Sequence, residues 1–149
     1  MNDQPNFASI LDEAPTEINR PKPLPVGTYI CVVQGQPTYD KSNKKGTPYV
    51  QFTLRPVAAE EDVDPEELEA MGGMESKTLR ATFYLTEDAV YRLDEFHQHC
   101  GVDISDASVS RRHRNENIVN AQVRAVVSHR MAEDGSQVYA ELKRTASAD

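Results

Sequence analysis

Alternation with a period of two, in four separate stretches, constrains this chain more than any other feature. In "PYVQFTLRP" Val50, Phe52 and Leu54 fall on one side, and Tyr49, Gln51, Thr53 and Arg55 on the other. "KTLRATFYL" sets Leu79, Ala81, Phe83 and Leu85 against Thr78, Arg80, Thr82 and Tyr84. "NAQVRAVVSHR" sets Ala121, Val123, Ala125 and Val127 against Gln122, Arg124, Val126 and Ser128. "QVYAELKR" sets Val138, Ala140 and Leu142 against Tyr139, Glu141 and Lys143. Each stretch reads as a strand with one buried face. A fifth run, Thr28 to Gln36, is β-rich and apolar on both faces through Tyr29 to Val33, with Gly35 placed for a bulge or bend. Asp134-Gly135 joins the last two strands as a hairpin.

Two segments read as helices. "TEDAVYRLDEFHQHCG" carries an apolar stripe of Val90, Leu93, Phe96 or His97, and Cys100. Thr86 is its expected cap and Gly101 its stop. "VDPEELEAMGG" places Asp64 at an N-cap, Pro65 at N1, Glu67 at N3 and Gly72 at the end. Residues 102–117 read as polar and irregular.

Three strands, a helix and a two-stranded hairpin follow the order of the OB-fold. The expected class is therefore mainly β: a five-stranded OB-fold-like barrel with a helix between strands 3 and 4. An acidic helical insertion, residues 58–76, falls between strands 2 and 3. Another small β-barrel, or a sheet with one helix packed on it, fits the same pattern. Around the domain at 26–145, residues 1–25 read as a Pro-rich extended acidic arm and 146–149 as a disordered tail. Phe7, Ile10 and Leu11 are expected to pack a helical turn of the arm onto the body.

The net charge is −8, but it is unevenly distributed. Residues 60–75 hold eight acids and no Lys or Arg, and residues 1–20 hold four acids and Arg20. What remains carries 15 Lys and Arg against 12 acids, a net +3. An acidic total argues against a polyanionic partner, and this distribution weakens the argument.

The longest apolar run is far too short to cross a bilayer, and the start of the chain lacks the pattern of a secretory signal. Cys31 and Cys100 lie far apart and read as reduced thiols of a cytoplasmic protein. His97, His99, Cys100 and His113 lack the spacing of a zinc site, so no metal is expected. Nor is any cofactor or catalytic centre: no nucleophile elbow, metalloprotease helix or phosphate loop is present.

An OB-fold places ligands over strands 2 and 3, between the loops joining strands 1 to 2 and 4 to 5. The first of these loops, "YDKSNKKGTPY", supplies Lys41, Lys44 and Lys45. Outward side chains of the strands supply Tyr49, Arg55, Arg80 and Tyr84, and the far strands add Arg124 and Arg130. Lys and Arg neutralise phosphates and Tyr stacks on bases, as a single nucleic-acid strand requires. Each has a plainer role: lysines that keep a loop soluble, tyrosines that brace neighbouring strands. Tyr29 and Tyr139 read as structural. The knot of Arg111, Arg112 and Arg114 either extends the path of a strand or pairs with nearby acids.

"PLPVGTYICVVQGQPTYDKSNKKGTPYVQFTL", "TFYLTEDAVYRLDEFHQHCG" and "DGSQVYAELKR" together resemble the small phage-encoded single-stranded-DNA-binding proteins, over roughly residues 24 to 144. The resemblance implies an OB-fold and a role in covering or annealing single strands in phage replication or recombination, within the infected bacterial cell. It covers Lys41, Lys44, Lys45 and Tyr49. Many such proteins recruit replication partners through an acidic C-terminal tail, whereas this chain ends "TASAD". The insertion is expected either to substitute for that tail, docking replication or recombination proteins or competing with nucleic acid for the lysine loop, or to be a solvated loop that only aids solubility. The alternative reading is a phage accessory or virion-associated protein-interaction module that binds no nucleic acid. Homo-oligomerisation and a preference between DNA and RNA stay open.

Overall fold

In a computed structural model, residues 11, 12, 14 and 22–148 are described. Five strands form one antiparallel sheet: β1 (Gly27–Lys41), β2 (Pro48–Ala59), β3 (Leu79–Tyr84), β4 (Gln122–Met131) and β5 (Val138–Ala146). Accompanying them are the helices α1 (Pro65–Ala70), α2 (Tyr91–His99) and α3 (Arg111–Asn117). The strand order is β3-β2-β1-β4-β5. The sheet is open between β3 and β5, yet these two edge strands line opposite walls of one groove.

The alternating residues turn inward as their spacing requires. Val50, Phe52, Leu54, Leu79, Ala81, Val123, Ala125 and Val127 are buried in one core with Tyr29, Cys31 and Val33. Phe83, Leu85, Ala140 and Leu142 pack partly buried against it. From α2 come Leu93 and Phe96, and the Phe96 ring lies 5.1 Å from that of Phe52 and 4.9 Å from that of Phe83. The outer residues Ile30 and Val32 of β1 are only half-buried, so the run expected to be apolar on both faces has one core face.

β1 is longer than its sequence pattern suggests because it serves two partners. Gly27 to Val32 pair with β4, while pairing with β2 continues to Lys41. The register slips between Gln34 and Thr38, where Gly35 adopts φ 71°. A side chain there would be strained, so Gly35 permits the irregularity that bends the strand.

Four expectations need correction. The helix expected from Thr86 begins at Tyr91: the Thr86 carbonyl instead accepts the N–H groups of Ala89 and Val90 in a preceding turn. Residues 102–117 are not wholly irregular, since α3 forms there with Ser110 as its N-cap, its hydroxyl accepting the His113 N–H at 3.1 Å. That helix has no apolar stripe and docks through Arg114 and Asn115, so periodicity carried no sign of it. Leu11 is 78% exposed and outside the core, while Phe7 and Ile10 lie outside the described residues. Finally, the acidic insertion is anchored far from the lysine loop. The Asp62 carboxylate accepts the Thr28 N–H at 2.8 Å and the Thr28 hydroxyl at 2.7 Å, and Val63 is buried beside Gly27. The insertion is thus fastened at the first residues of β1, and the loop springs from its last. The two lie at opposite ends of a fifteen-residue strand, so competition for the loop has no geometric basis.

Around Asp64 the insertion forms as its sequence dictates. The Asp64 carboxylate accepts the Glu66 N–H at 2.9 Å, Pro65 opens α1, and Gly72 follows with φ 91°. No helix among the described residues is long and apolar enough to cross a membrane.

Candidate nucleic-acid interface

Register brings the predicted rings together. Tyr49 pairs with Tyr84, Gln51 with Thr82 and Thr53 with Arg80 across β2 and β3. Paired residues share a face, opposite that of the buried Val50, Phe52 and Leu54. The two tyrosine rings meet edge to face, with centroids 6.1 Å apart. Tyr84 remains 46% exposed and Tyr49 is half-buried, so the pair braces the strands and still offers ring surface. Next to them the Gln51 amide donates to the Thr82 hydroxyl at 2.8 Å. Arg55 and Arg80 are exposed on the same face as diagonal neighbours. No acidic residue occurs on the outward face of β2 or β3.

The lysine loop is a closed turn. The Ser42 N–H donates to the Thr47 carbonyl at 2.9 Å, the Thr47 N–H to the Ser42 hydroxyl at 3.0 Å, and Gly46 turns the chain at φ 67°. Lys44 and Lys45 are exposed at its tip. Beneath it the Leu85 N–H donates to the Pro48 carbonyl at 2.8 Å, which ties the foot of the loop to the end of β3. Lys41 behaves differently. It pairs with Pro48, whose parity is that of Val50, so Lys41 belongs to the face opposite Tyr49. Asp40, opposite Tyr49, shares the tyrosine face instead.

Arg124 is brought to another part of the sheet, while Arg130 lines the same groove between β3 and β5 as Arg80 and Tyr84, and both are occupied. The Arg124 guanidinium donates to the Glu60 carboxylate at 2.5 Å and to the Ser147 carbonyl at 2.8 Å. Arg130 contacts the Glu141 carboxylate at 2.9 Å and lies over the Tyr139 ring at 5.5 Å. β1 separates β4 from the Tyr49–Tyr84 face. The basic knot is likewise engaged in structure. Arg111 grips Asp94 through two bonds of 2.8 and 2.9 Å, which holds that carboxyl below its ordinary pKa. Arg112 lies over the Tyr39 ring, and Arg114 is buried with its Nη2 donating to the Ile104 and Asp106 carbonyls while its Nε makes no hydrogen bond among the described residues.

Beside the knot, His97 is fully buried, with its Nε2 2.7 Å from Asn115 Oδ1. The Asn115 amide in turn donates to the Tyr39 hydroxyl at 3.0 Å. Burial lowers the His97 pKa, so the ring is neutral at neutral pH. Cys31 and Cys100 are free thiols pushed up to about 12 by burial. Among the described residues no group of three or more His, Cys, Asp or Glu is placed to hold a metal ion.

Sequence reasoning missed the groove at the open seam of the sheet. It occupies about 1080 Å³ between β3 and β5, over α2. Arg80 and Tyr84 line it together with Tyr91, Arg92, Lys143 and Arg144. Nothing in the local pattern marks the last four, because their meeting depends on which strands become the sheet's edges. No known protein family model matches the chain, and no curated protein proves similar to it.

Proposed function

We propose that the protein binds single-stranded DNA with little sequence preference, covering or annealing strands during phage replication or recombination, and that its sheet is an OB-type barrel left open along one seam. The strand order, with β5 drawn up beside β3 and a helix between β3 and β4, supports the barrel reading. The binding reading rests on one observation. In a chain of 24 acidic residues, the outward face of β2 and β3 carries two tyrosines, two arginines and no acid. Bases stack on Tyr49 and Tyr84, phosphates meet Arg55, Arg80 and the Lys44–Lys45 turn, and no side-chain pattern there selects one base over another.

Fluorescence polarisation with a labelled oligothymidylate at two salt concentrations tests this. Binding should saturate and weaken steeply with salt. Tyr49→Ala and Tyr84→Ala should each cost about 1–3 kcal/mol of affinity while leaving the circular dichroism unchanged. A wild-type protein that fails to bind at low salt would sink the reading.

The rigid anchoring of the acidic insertion favours a second, compatible role. Asp62 and Val63 fix the segment, α1 faces the core through Leu68, and Glu66, Glu67 and Glu69 stay exposed. A replication or recombination protein with a basic surface would dock there. Loss of that partner on Glu66→Lys/Glu69→Lys, with oligothymidylate binding unchanged, is the expected result.

A further inference from the structure

We propose that the groove between β3 and β5 is a second track for the same single strand, holding its sugar–phosphate backbone after the strand leaves the Tyr49–Tyr84 face; this rests on the binding function above. Six consecutive residues of β3 and six of β5 line the groove, so its walls are strand edges. Among the described residues β3 is paired only with β2 and β5 only with β4, which leaves both facing edges without ladder partners there. Their backbone N–H groups are donors of the kind that meet phosphate oxygens.

The charge in the groove is lopsided, against the sign of the whole molecule. Arg80, Arg92, Arg130, Lys143 and Arg144 line it, opposed by Glu95 and Glu141. Glu141 is taken up by Arg130 at 2.9 Å. Four cations then face one remaining carboxylate, Glu95. No salt bridge among the described residues engages Arg80, Arg92, Lys143 or Arg144.

Tyr84 and Arg80 connect the two surfaces. Each lies on the outward face of β3 and also lines the groove. A strand stacked on Tyr84 therefore needs only to turn over the edge of β3 to bring its next phosphates between Arg92 on α2 and Lys143 and Arg144 on β5. The Tyr91 ring is 50% exposed at the head of α2; Arg92 Nε donates to its hydroxyl at 3.2 Å and the guanidinium lies 5.7 Å from its centroid, so a base on that route shares the ring with Arg92. Unpaired strand edges also admit an extended acidic peptide. The excess of cations outside salt bridges, together with the exposed rings of Tyr84 and Tyr91, favours the nucleic acid, because a peptide strand would use the edges and leave the rings idle.

The triple variant Arg92→Gln/Lys143→Gln/Arg144→Gln tests this, since all three side chains are exposed and the fold does not depend on them. Affinity is measured against salt with labelled oligothymidylates of about 4 to 16 nucleotides, the span of a site on one such domain. Loss of three phosphate contacts should flatten the dependence of log K on log salt by about 2, and the gain in affinity should stop at a shorter oligomer than for wild type. A triple variant with the wild-type slope, alongside Tyr49→Ala and Tyr84→Ala variants that lose binding, would overturn the groove and leave the outer face standing. The opposite result, with the tyrosine variants binding normally and the triple variant failing, would move the whole site into the groove. A poly-glutamate peptide that binds wild type more tightly than the oligomer, and is lost in the triple variant, would assign the groove to acidic peptide and refute the proposal.

Discussion

Two arginine-bearing flanks of the same sheet differ in what their charges face. On β2 and β3, Arg55 and Arg80 project among neutral side chains with no salt bridge among the described residues. On β4, Arg124 and Arg130 each meet a carboxylate, Glu60 or Glu141. All four alternate outward from the core and look equivalent in a list of exposed cations. They are not equivalent to an anion, because a paired guanidinium must release its carboxylate before it neutralises a phosphate. The presence of a partner, more than exposure, separates a flank whose charge is free to meet an anion from one whose charge is already engaged.

Between the two flanks, the larger effect should come from stripping the unpaired one. Arg55→Ala/Arg80→Ala should flatten the salt dependence of oligothymidylate binding by about 1.4, at about 0.7 for each phosphate contact. Thermal unfolding should stay near wild type, because neither side chain is buried. A double variant with unchanged slope would erase the difference between the flanks.

Acid should act on the scaffold beneath both flanks without distinguishing them. His97 is packed between α2 and α3, bonded to Asn115 and flanked by Asp94, Arg111 and Arg114. Its folded pKa lies below the ordinary value of 6.5, mainly because burial disfavours the charged ring. The unfolded chain therefore binds the proton first as pH falls, and the stability contributed by the neutral ring, complete above about pH 6.5, drains away below it. Asp62 and Asp94 have lowered pKa values and act in a separate window, giving up their contribution only as pH falls through their folded values, below 3.8. Melting temperatures from pH 7.5 to 5 should fall for wild type and stay flatter for His97→Gln, after allowance for that variant's lower starting stability. Equal slopes would remove His97 from the account.

A smaller effect is expected on the paired flank. Arg124→Ala/Arg130→Ala should leave the salt slope nearly intact and cost about 0–1 kcal/mol of stability per broken surface pair, read by chemical denaturation. A drop in slope as large as that of the Arg55/Arg80 pair would show that Glu60 and Glu141 yield to phosphate, and the contrast would fail.

How much of this was legible in the sequence follows from what each feature depends on. Val50, Phe52, Leu79, Ala81, Val123 and Ala125 could be assigned inward because strand alternation is local, and the sheet buries them all. Gly35 and the Asp64–Gly72 helix were legible for the same reason: a bend and a cap are written in adjacent residues. Helix α3 was not, because "RRHRNEN" docks through Arg114 and Asn115, whose burial depends on carbonyls and a histidine supplied from elsewhere. The Tyr49–Tyr84 pairing needed register, and the groove needed knowledge of which strands stay unpaired. Arg92, Lys143 and Arg144 carried no mark of their meeting. Arg124 was correctly placed outward, yet its partner Glu60 lies 64 residues away, a distance that local pattern does not cross.

The smallest expected effect tests alternation at its finest grain. Lys41, Lys44 and Lys45 read as one basic cluster in sequence, but register divides them. Lys41 is the last residue of β1 and pairs with Pro48, which places it on the face opposite Tyr49. Lys44 and Lys45 occupy the tip of the turn, where no strand fixes a face. Lys44→Ala/Lys45→Ala should therefore weaken oligothymidylate binding by several-fold at low salt, since two phosphate contacts are at stake. Lys41→Ala should change affinity by less than about twofold, leaving only the long-range field of one charge, which screens within a Debye length of about 10 Å at 0.1 M salt. Asp40 makes the converse case, since it stands opposite Tyr49 on the tyrosine face and repels a phosphate there. Asp40→Asn should tighten binding slightly where Lys41→Ala does nothing. If Lys41→Ala instead cost as much as Lys44→Ala, the strand would be passing around the end of the sheet, and the β2–β3 face would no longer define the site.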